Sequence, residues 1–113
     1  MKKIEAIIRE KTLESVMKAL KDAGINPITT YSVRGRGRQG GIVHRWAEGV
    51  EVYELLPHVK VEVVVPDELV DKVVDIIIKH ARRGVPGDGK IFIIPVEEAV
   101  RIRTGERGHA ALM

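Results

Sequence analysis

The stretch VKVEVVVPDELVDKVVDIII, residues 59–78, contains a strand signal followed directly by a helix signal. A valine stands at every second position from Val59 to Val65, which is the period-2 pattern of a strand with one buried face. Pro66 and Asp67 then start a helix, with Asp67 as its cap, and apolar residues at helical spacing continue to Ile78. The stretch therefore predicts a β-strand that leads into an amphipathic α-helix.

The same order of elements occurs near the beginning of the chain. Lys3-Ile4-Glu5 matches Lys60-Val61-Glu62, 57 residues later, so the two halves repeat. The other predicted elements are a strand at residues 3–9, a helix that Thr12 caps and Gly24 ends, and strands at residues 28–33 and 90–96. Each half thus predicts one β–α–β unit.

Two β–α–β units joined by a long connection predict an α+β, ferredoxin-like βαβ–βαβ sandwich, with an antiparallel sheet and both helices on one face. The connection spans residues 35–57, and its base is expected to continue as a hairpin. One sheet face stays uncovered, and because strands such as Val63-Val64-Val65 are valine-rich, we expect oligomerisation to cover it. The tail at residues 100–103 is expected to be extended, with a turn at 104–106.

Length and composition exclude several classes of protein. The chain has 113 residues, 44% of them hydrophobic and 31% charged, which suits one globular domain and not a disordered chain. No apolar run approaches the roughly 20 residues that span a bilayer, and the N-terminal stretch does not resemble a signal peptide, so a cytoplasmic location is expected. The absence of cysteine excludes disulfides, thiolate metal sites and cysteine nucleophiles. A net charge of +3 permits phosphate binding, whereas 4% aromatic residues are few for stacking on bases.

The segment Gly84-Val85-Pro86-Gly87-Asp88-Gly89-Lys90 resembles a phosphate-binding Walker A loop in its spacing. Ile91 stands where that motif needs a magnesium-binding hydroxyl, and the segment follows a helix instead of preceding one, so a P-loop NTPase is not expected. Its backbone N–H groups can still form an anion nest beside the charge of Lys90. The alternative is a simple helix-to-strand turn.

Two further cationic segments stand at predicted strand ends. The first of them is Gly35-Arg36-Gly37-Arg38-Gln39-Gly40-Gly41, for which three interpretations stay open. It is a second phosphate-binding loop, a short RGG-like nucleic-acid segment or a flexible basic loop. Arg101-Ile102-Arg103 is the other segment. The convergence of three such segments in one small domain suggests a polyphosphate ligand. Trp46, in the long connection, either contacts a partner or packs back on the domain.

These segments belong to a pattern that resembles the PII family of nitrogen-regulatory signal proteins over essentially the whole chain. The matching blocks are Lys2-Lys3-Ile4, Val33-Arg34-Gly35, Gly37-Arg38-Gln39, Leu56-Pro57, Val59-Lys60, Gly84, Gly87-Asp88-Gly89-Lys90-Ile91-Phe92 and Arg101-Ile102-Arg103-Thr104-Gly105-Glu106. The last two blocks, at their mutual spacing, are specific to the family. The resemblance implies a single PII-like domain over residues 1–113, with a T-loop at about 36–55, a B-loop at about 82–90 and a C-terminal loop at about 101–108.

The resemblance also implies a homotrimer of ferredoxin-like subunits that acts as a signal transduction protein and not as an enzyme. In that family ATP or ADP binds in clefts between subunits, and 2-oxoglutarate joins when Mg-ATP is present. The T-loop changes shape with ligand and docks on targets of nitrogen regulation. Those targets include ammonium transporters and glutamine synthetase, so a membrane is expected only through a transporter partner, and no nucleic acid is expected.

Individual positions take their roles from the same resemblance. The positions that match nucleotide contacts are Ile7, Thr29, Gly35, Gly37, Arg38, Gln39, Glu62, Val64, Gly87, Asp88, Gly89, Lys90, Arg101 and Arg103, the last two reaching the phosphates from the neighbouring subunit. Those that match 2-oxoglutarate contacts are Gln39, Gly41, His58 and Gly87. Gln39 also matches the residue that ligates magnesium together with the ATP phosphates. The expected partner contacts in the T-loop are Arg45, Trp46, Glu51 and Tyr53.

The chain departs from the family pattern at several of these positions. His58 stands where the family commonly has a lysine that pairs with a 2-oxoglutarate carboxylate, so 2-oxoglutarate binding is expected to be weakened or altered. Glu51 replaces the tyrosine that some bacterial members uridylylate, so that modification is not expected at this position. Arg83 replaces the usual Ser or Thr of the B-loop, and Arg45 is a possible substitute for an arginine that some members insert into the ammonium channel.

Three other functions stay open at this point. One is a PII-like adenylate or small-anion sensor that does not respond to 2-oxoglutarate, and His58 is the residue that favours it. An ATP-hydrolysing enzyme would be slow, because no general base is evident near the two glycine segments. A basic nucleic-acid binder would show binding that depends steeply on salt.

Overall fold

The computed structural model of the protein describes residues 1–36, 42–46, 49–53 and 55–112, with only the backbone described for residues 42–46 and 49–53. The strands and helices of this part of the chain are, in order, β1 (Lys2–Ile8), α1 (Leu13–Asp22), β2 (Thr29–Gly35), β3 (Ile42–Trp46), β4 (Gly49–Tyr53), β5 (Leu56–Val65), α2 (Val70–Ala81) and β6 (Lys90–Pro95). Among these described ranges, no helix is long and apolar enough to cross a membrane.

The main sheet has four strands in the order β2-β5-β1-β6, and all of its pairs are antiparallel. β1 lies inside the sheet, where Ile4 is opposite Val63 of β5 and Ile93 of β6. β5 in turn pairs with β2, where Val61 is opposite Thr30. The two β–α–β units therefore interleave, which is the order that the ferredoxin-like prediction requires. The predicted α+β fold is confirmed.

The core lies between one face of this sheet and both helices. Every second residue of β1 and β5 points into it, as the alternating sequence pattern predicts. The buried apolar residues of the two strands are Ile4, Ala6, Ile8, Val59, Val61, Val63 and Val65, and those of the helices are Val16, Leu20, Val73, Ile77 and Ala81. The apolar stripes of both helices and the inward residues of the two strands form one cluster, so both helices cover the same sheet face.

The connection between β2 and β5 contains a second, two-stranded sheet. In it, β3 pairs with β4, and Val43 is opposite Val52. Below it, β2 and β5 stay paired as far as Gly35 and Leu56. The hairpin expected for this connection is confirmed.

The predicted helix caps differ from the structure, because a short 3-10 turn precedes each helix and takes over the capping. Thr12 donates its Oγ1 hydroxyl to Arg9 O at 2.8 Å and makes no side-chain cap bond. Asp67 lies inside the turn before α2, and its Oδ1 is 3.0 Å from the N-terminal ammonium of Met1. The end of α1 is as predicted, since Gly24 has φ +86°, which is a conformation that favours glycine.

Only part of the valine pattern reaches the open face of the sheet. Side chains alternate along β5, so of Val63-Val64-Val65 only Val64 lies on the open face. At the centre of that face the Lys3 ammonium is 3.0 Å from Glu5 Oε1 and 3.9 Å from Glu62 Oε1. The alternating valines of β5 therefore belong mainly to the core, whereas Val64 of β5 and Phe92 of β6, which is paired with Glu5, lie on the open face. That oligomerisation covers this face stays a prediction.

The segment after β6 folds back on itself instead of extending. Val100 forms a bridge with Arg107, and the intervening residues turn, with Gly105 N–H donating to Arg101 O at 2.7 Å. The extended conformation predicted for residues 100–103 is therefore wrong. The turn predicted at 104–106 is confirmed, because Thr104 Oγ1 donates to Glu106 Oε1 at 2.8 Å. A glycine at the end of the turn, with φ +74° at Gly105, allows the chain to reverse.

Candidate functional site

The glycine loop, residues 83–89, connects α2 to β6 and lies against the end of β1. Gly87 and Gly89 have φ +98° and +104°, so both need the conformational freedom of glycine. A Cβ on Gly89 would overlap the carbonyl oxygen of Ile7, and one on Gly87 would lie 2.8 Å from Arg9 Nη2. The loop thus approaches the sheet more closely than any other residue type would allow.

Asp88 organises this loop from within. Its Oδ2 accepts hydrogen bonds from the N–H groups of Arg83 at 2.9 Å and Gly84 at 2.8 Å, and its Oδ1 is 3.4 Å from Arg9 Nε. Desolvation opposes ionisation of this carboxyl, but the hydrogen bonds outweigh it, so the pKa of Asp88 lies below its ordinary value. The first N–H groups of the expected anion nest are therefore occupied by a carboxylate of the loop itself.

Arg9 connects the loop to the end of β1. Its Nη2 donates to Pro86 O at 2.7 Å, and the same guanidinium approaches Asp88. Arg9 was not among the residues that the sequence singled out. The contact follows from the antiparallel register, in which Ile7 is paired with Lys90, so the residue after β1 lies beside the residues before β6. No local sequence pattern marks Arg9, because this register joins segments that are 79 positions apart at Arg9 and Asp88.

His58 contacts the glycine loop from β5. Its Nδ1 is 3.2 Å from Leu56 O and its Nε2 is 3.2 Å from Gly87 O. A neutral imidazole has one N–H and can donate to one of these oxygens, whereas the protonated ring can donate to both. The ring therefore bridges the beginning of β5 and the glycine loop.

Cavities lie on both sides of the glycine loop. A cavity of about 430 Å³ is lined by the cationic residues Arg9, Lys11 and Arg83 and by one acidic residue, Glu10, together with His58 and Gly87. A second cavity of about 330 Å³ is lined by aliphatic residues of α2 and β6, with Ile7, Asp88, Gly89 and Lys90 among its walls. A cationic loop beside an apolar cavity can hold a ligand that carries both an anionic and an apolar part.

Comparisons with known proteins match the entire folded unit. The family model described as "Nitrogen regulatory protein P-II" matches residues 1–106. The chain belongs to the nitrogen regulatory protein P-II family. Members of this family are signalling proteins and not enzymes.

Curated P-II relatives come from both bacteria and archaea. The "Nitrogen regulatory protein P-II" of Haemophilus influenzae is 49% identical over 112 residues, which are 99% of this chain and all of that protein. The "Nitrogen regulatory protein P-II 2" of Methanothermobacter thermautotrophicus is 53% identical, covering 99% of this chain and 97% of that protein. Among solved structures, that of Arabidopsis thaliana PII bound to citrate has a TM-score of 0.80 and 38% identity, covering 98% of this chain and 88% of that one.

The predicted P-II ligand residues fall into separate groups in this chain. One group lies around the glycine loop, where Ile7 and Lys90 are paired neighbours and His58 contacts Gly87. Another lies on β2 and β5, where Thr29 of the edge strand β2 is paired with Glu62 of β5, and Val64 follows Glu62 on β5. Thr29 and Lys90 lie on the two edge strands, three strand spacings of about 4.8 Å apart, whereas Glu62 and Val64 lie on the inner strand β5, next to β1. Neither of the two cavities beside the glycine loop is lined by Thr29, Glu62 or Val64.

The C-terminal arginines form a third position. Arg101 Nη2 donates to Ala110 O at 3.2 Å, and its Nη1 is 3.8 Å from Glu106 Oε1, so this side chain is held within its own segment. Arg103 is exposed in the turn after it. Gly35, the remaining described member of the predicted set, ends β2 beside the beginning of β5.

Several predicted residues lie outside the described part of the chain. These are Gly37, Arg38, Gln39 and Gly41, so the predicted magnesium ligand is among them. Arg45, Trp46, Glu51 and Tyr53 lie in β3 and β4, of which only the backbone is described. In the described ranges, no cluster of three or more His, Asp or Glu side chains could hold a metal ion.

Proposed function

We propose that this P-II protein senses ATP or ADP together with 2-oxoglutarate and regulates nitrogen metabolism through its T-loop, at about residues 36–55. The observation that carries the proposal is the glycine loop, which two glycines of positive φ hold against β1 beside Lys90, Arg9 and Arg83. Backbone N–H groups in such a loop and a nearby lysine suit phosphate oxygens. The aliphatic cavity beside the loop suits the apolar faces of an adenine.

The distribution of the ligand residues supports a homotrimer. Thr29, Glu62 and Val64 line neither of the two cavities beside the glycine loop, so we infer that a complete nucleotide site takes residues from two copies of the chain. In a closed ring, each copy would contribute its glycine-loop residues to a site shared with one neighbour. It would contribute Thr29, Glu62 and Val64 to a site shared with the other neighbour. Arg101 and Arg103 would then approach the phosphates from the second copy.

The proposed signal passes from the ligand to the T-loop through Gln39. This residue belongs to the base of the T-loop, and it would ligate magnesium together with the ATP phosphates. Ligand states that hold Gln39 differently stabilise different T-loop conformations, and a target binds one of them. The proposed targets are ammonium transporters, glutamine synthetase or other proteins of nitrogen metabolism in the cytoplasm, contacted through Arg45, Trp46, Glu51 and Tyr53.

A second candidate function is an adenylate or small-anion sensor that does not respond to 2-oxoglutarate. His58 favours it, because both ring nitrogens already face backbone carbonyls at 3.2 Å. A lysine at this position would present its charge on a longer side chain. The P-II structure bound to citrate, from Arabidopsis, supports binding of a multiply charged carboxylate by this fold.

Calorimetric titration separates the two candidates. The protein is titrated with ATP and magnesium, with and without saturating 2-oxoglutarate, and with ADP in parallel. If 2-oxoglutarate tightens ATP binding and binds only with Mg-ATP, the first function stands. If ATP binds and 2-oxoglutarate changes nothing, the second stands, and His58→Lys is expected to create the response. Absence of both ATP and ADP binding contradicts both.

Gln39→Ala tests the proposed route to the T-loop. ATP is expected to bind this variant with reduced magnesium dependence, while the T-loop no longer responds to 2-oxoglutarate. The response is measured as the ligand-dependent change in fluorescence of Trp46, the one tryptophan of the chain. A normal ligand response in Gln39→Ala would show that the signal takes another route.

A further inference from the structure

Arg9 has an anchored backbone and a side chain that reaches the glycine loop. It follows β1 directly, and β1 is paired on both sides, with β5 and β6. Its carbonyl oxygen accepts two hydrogen bonds from Thr12, from N–H at 3.0 Å and from Oγ1 at 2.8 Å. Thr12 is itself buried, with 8% of its surface exposed. The base of the Arg9 side chain is therefore held by the sheet and the turn that follows it.

The guanidinium of Arg9 makes three different approaches to the loop. Nη2 donates to Pro86 O at 2.7 Å, Nε is 3.4 Å from Asp88 Oδ1, and Nη2 lies 2.8 Å from the place where a Cβ on Gly87 would stand. Different nitrogens of one planar group thus address a carbonyl and a carboxylate of the same loop. Lysine has a single nitrogen and cannot reproduce this fork.

Asp88 transmits the position of Arg9 to the backbone of the loop. While Oδ1 faces Arg9, Oδ2 accepts the N–H groups of Arg83 and Gly84 at 2.9 and 2.8 Å. The guanidinium of Arg9 therefore holds the Asp88 carboxylate in place, and this carboxylate holds the N–H groups of Arg83 and Gly84 in place. The connection spans 79 residues of sequence between Arg9 and Asp88.

We propose that Arg9 is a positioning residue that sets the conformation of the glycine loop before a ligand binds, acting through Asp88 and Pro86. The proposed effect of Arg9 on the conformation of the ligand-free loop holds whichever ligand binds, whereas the expected effect on ATP affinity rests on the proposed function. A loop ordered in advance loses less conformational entropy when it binds a ligand. The contacts of Arg9 with Asp88 and Pro86, here called the Arg9 clamp, therefore favour phosphate binding.

The test compares Arg9→Lys and Arg9→Ala with Lys11→Ala, a variant of another cation in the wall of the same cavity. Amide exchange of Arg83 and Gly84 is measured by NMR in the ligand-free protein. We expect exchange at both amides to rise at least about tenfold in both Arg9 variants, because a hydrogen bond to a charged group is lost. Lys11→Ala is expected to leave the exchange unchanged.

A second pair of variants tests whether Arg9 acts through Asp88. Asp88→Asn is expected to raise exchange at Arg83 and Gly84 by a similar factor. The double variant Arg9→Ala with Asp88→Asn should then raise it by less than the product of the two factors. A cooperative thermal unfolding transition in each variant shows that its sheet is intact. If Arg9→Ala does not fold, the same exchange measurements are made on Arg9→Lys.

Titration with Mg-ATP supplies the readout of binding. Arg9→Lys is expected to weaken ATP binding about tenfold, and Lys11→Ala by a smaller factor. Unchanged exchange in both Arg9 variants would overturn the clamp, and a rise in Arg9→Ala without one in Arg9→Lys would overturn the need for a fork. If exchange rises as expected while the unmodified protein binds no ATP, the clamp stands and the proposed nucleotide function fails.

Discussion

At the scale of single residues, Gly89 shows why the loop sequence admits no side chain at its closest approach to the sheet. Gly89→Ala is expected to destabilise the fold by more than about 3 kcal/mol, because its Cβ would overlap Ile7 O and its φ is +104°. Gly84→Ala is the matched control in the same loop, since Gly84 has φ +81° but no atom within 4 Å of a Cβ. That variant should lose about 1–2 kcal/mol from backbone strain.

Urea unfolding of the two alanine variants distinguishes close approach from strain. Equal losses of unfolding free energy at Gly84 and Gly89 would show that the contact with β1 contributes nothing. We also expect Gly89→Ala to lose phosphate-ligand binding before it loses its fold, because the loop must move away from Ile7.

Asp88 makes the order of the glycine loop dependent on pH. Its pKa is lowered in the folded protein, so its contribution is present above its ordinary value of 3.8 and is lost as the pH falls through the lower folded value. The Gly84 amide resonance is therefore expected to move with a midpoint below pH 3.8, as its acceptor becomes protonated. Asp88→Asn should remove that step. A midpoint above 3.8 in the unmodified protein would contradict the hydrogen-bonded carboxylate.

At the scale of elements, α2 stabilises the molecule through one stripe of side chains. Ile77 is 1% exposed beneath this helix, so Ile77→Ala is expected to cost about 2–5 kcal/mol of unfolding free energy. Met17→Ala on α1 is the comparison, since Met17 is 41% exposed, and it should cost less than about 1 kcal/mol. Chemical denaturation measures both, and similar losses would contradict the assignment of the core.

The caps show how neighbouring elements override a local preference. Thr12 and Asp67 have the residue types of helix caps, yet Thr12 donates to Arg9 O and Asp67 pairs with the N-terminal ammonium. A 3-10 turn before each helix closes hydrogen bonds that a side-chain cap would otherwise make, such as Leu69 N–H to Pro66 O at 3.0 Å. The choice between the two solutions depends on where the chain enters from the sheet, which residue type does not encode.

At the scale of the whole molecule, we expect copies of the chain to meet at exposed apolar residues of β6 and of the C-terminal turn. Ile102 is fully exposed between two arginines, and Val100 and Phe92 are 50% and 46% exposed. Ile102→Asp is expected to weaken the proposed trimer at least about tenfold, because an unpaired carboxylate is costly to bury. Met17→Asp, on a helix of the outer layer, should not.

Sedimentation velocity over a range of protein concentrations measures this effect. A trimer of unchanged stability in Ile102→Asp would show that the C-terminal loop lies outside the interface. In that event the two groups of ligand residues, one at Thr29 and Glu62 and one at the glycine loop, must meet through another surface.

Much of the fold follows from short-range patterns. Alternating valines in β5, the helical stripe that reaches Ile78 and the glycine after α1 each depend on neighbours a few residues away, so the sequence predicts them correctly. The repeat of Lys3-Ile4-Glu5 at Lys60-Val61-Glu62 then implies two similar units, and few topologies connect such units without crossing. The glycine loop and Lys90 could be recognised for the same reason, as a contiguous motif.

The sequence by itself determined the elements, their order and the identity of the glycine loop, because those properties are local. Only the tertiary structure decided that Arg9 clamps Pro86 and Asp88, that Asp88 fills part of its own anion nest, and that Thr29 lies toward the far edge of the sheet. The Arg9 contacts join residues 77 and 79 positions apart. Contacts at such separations arise from strand order and register, and these are set by burying the core as a whole and not by any one segment.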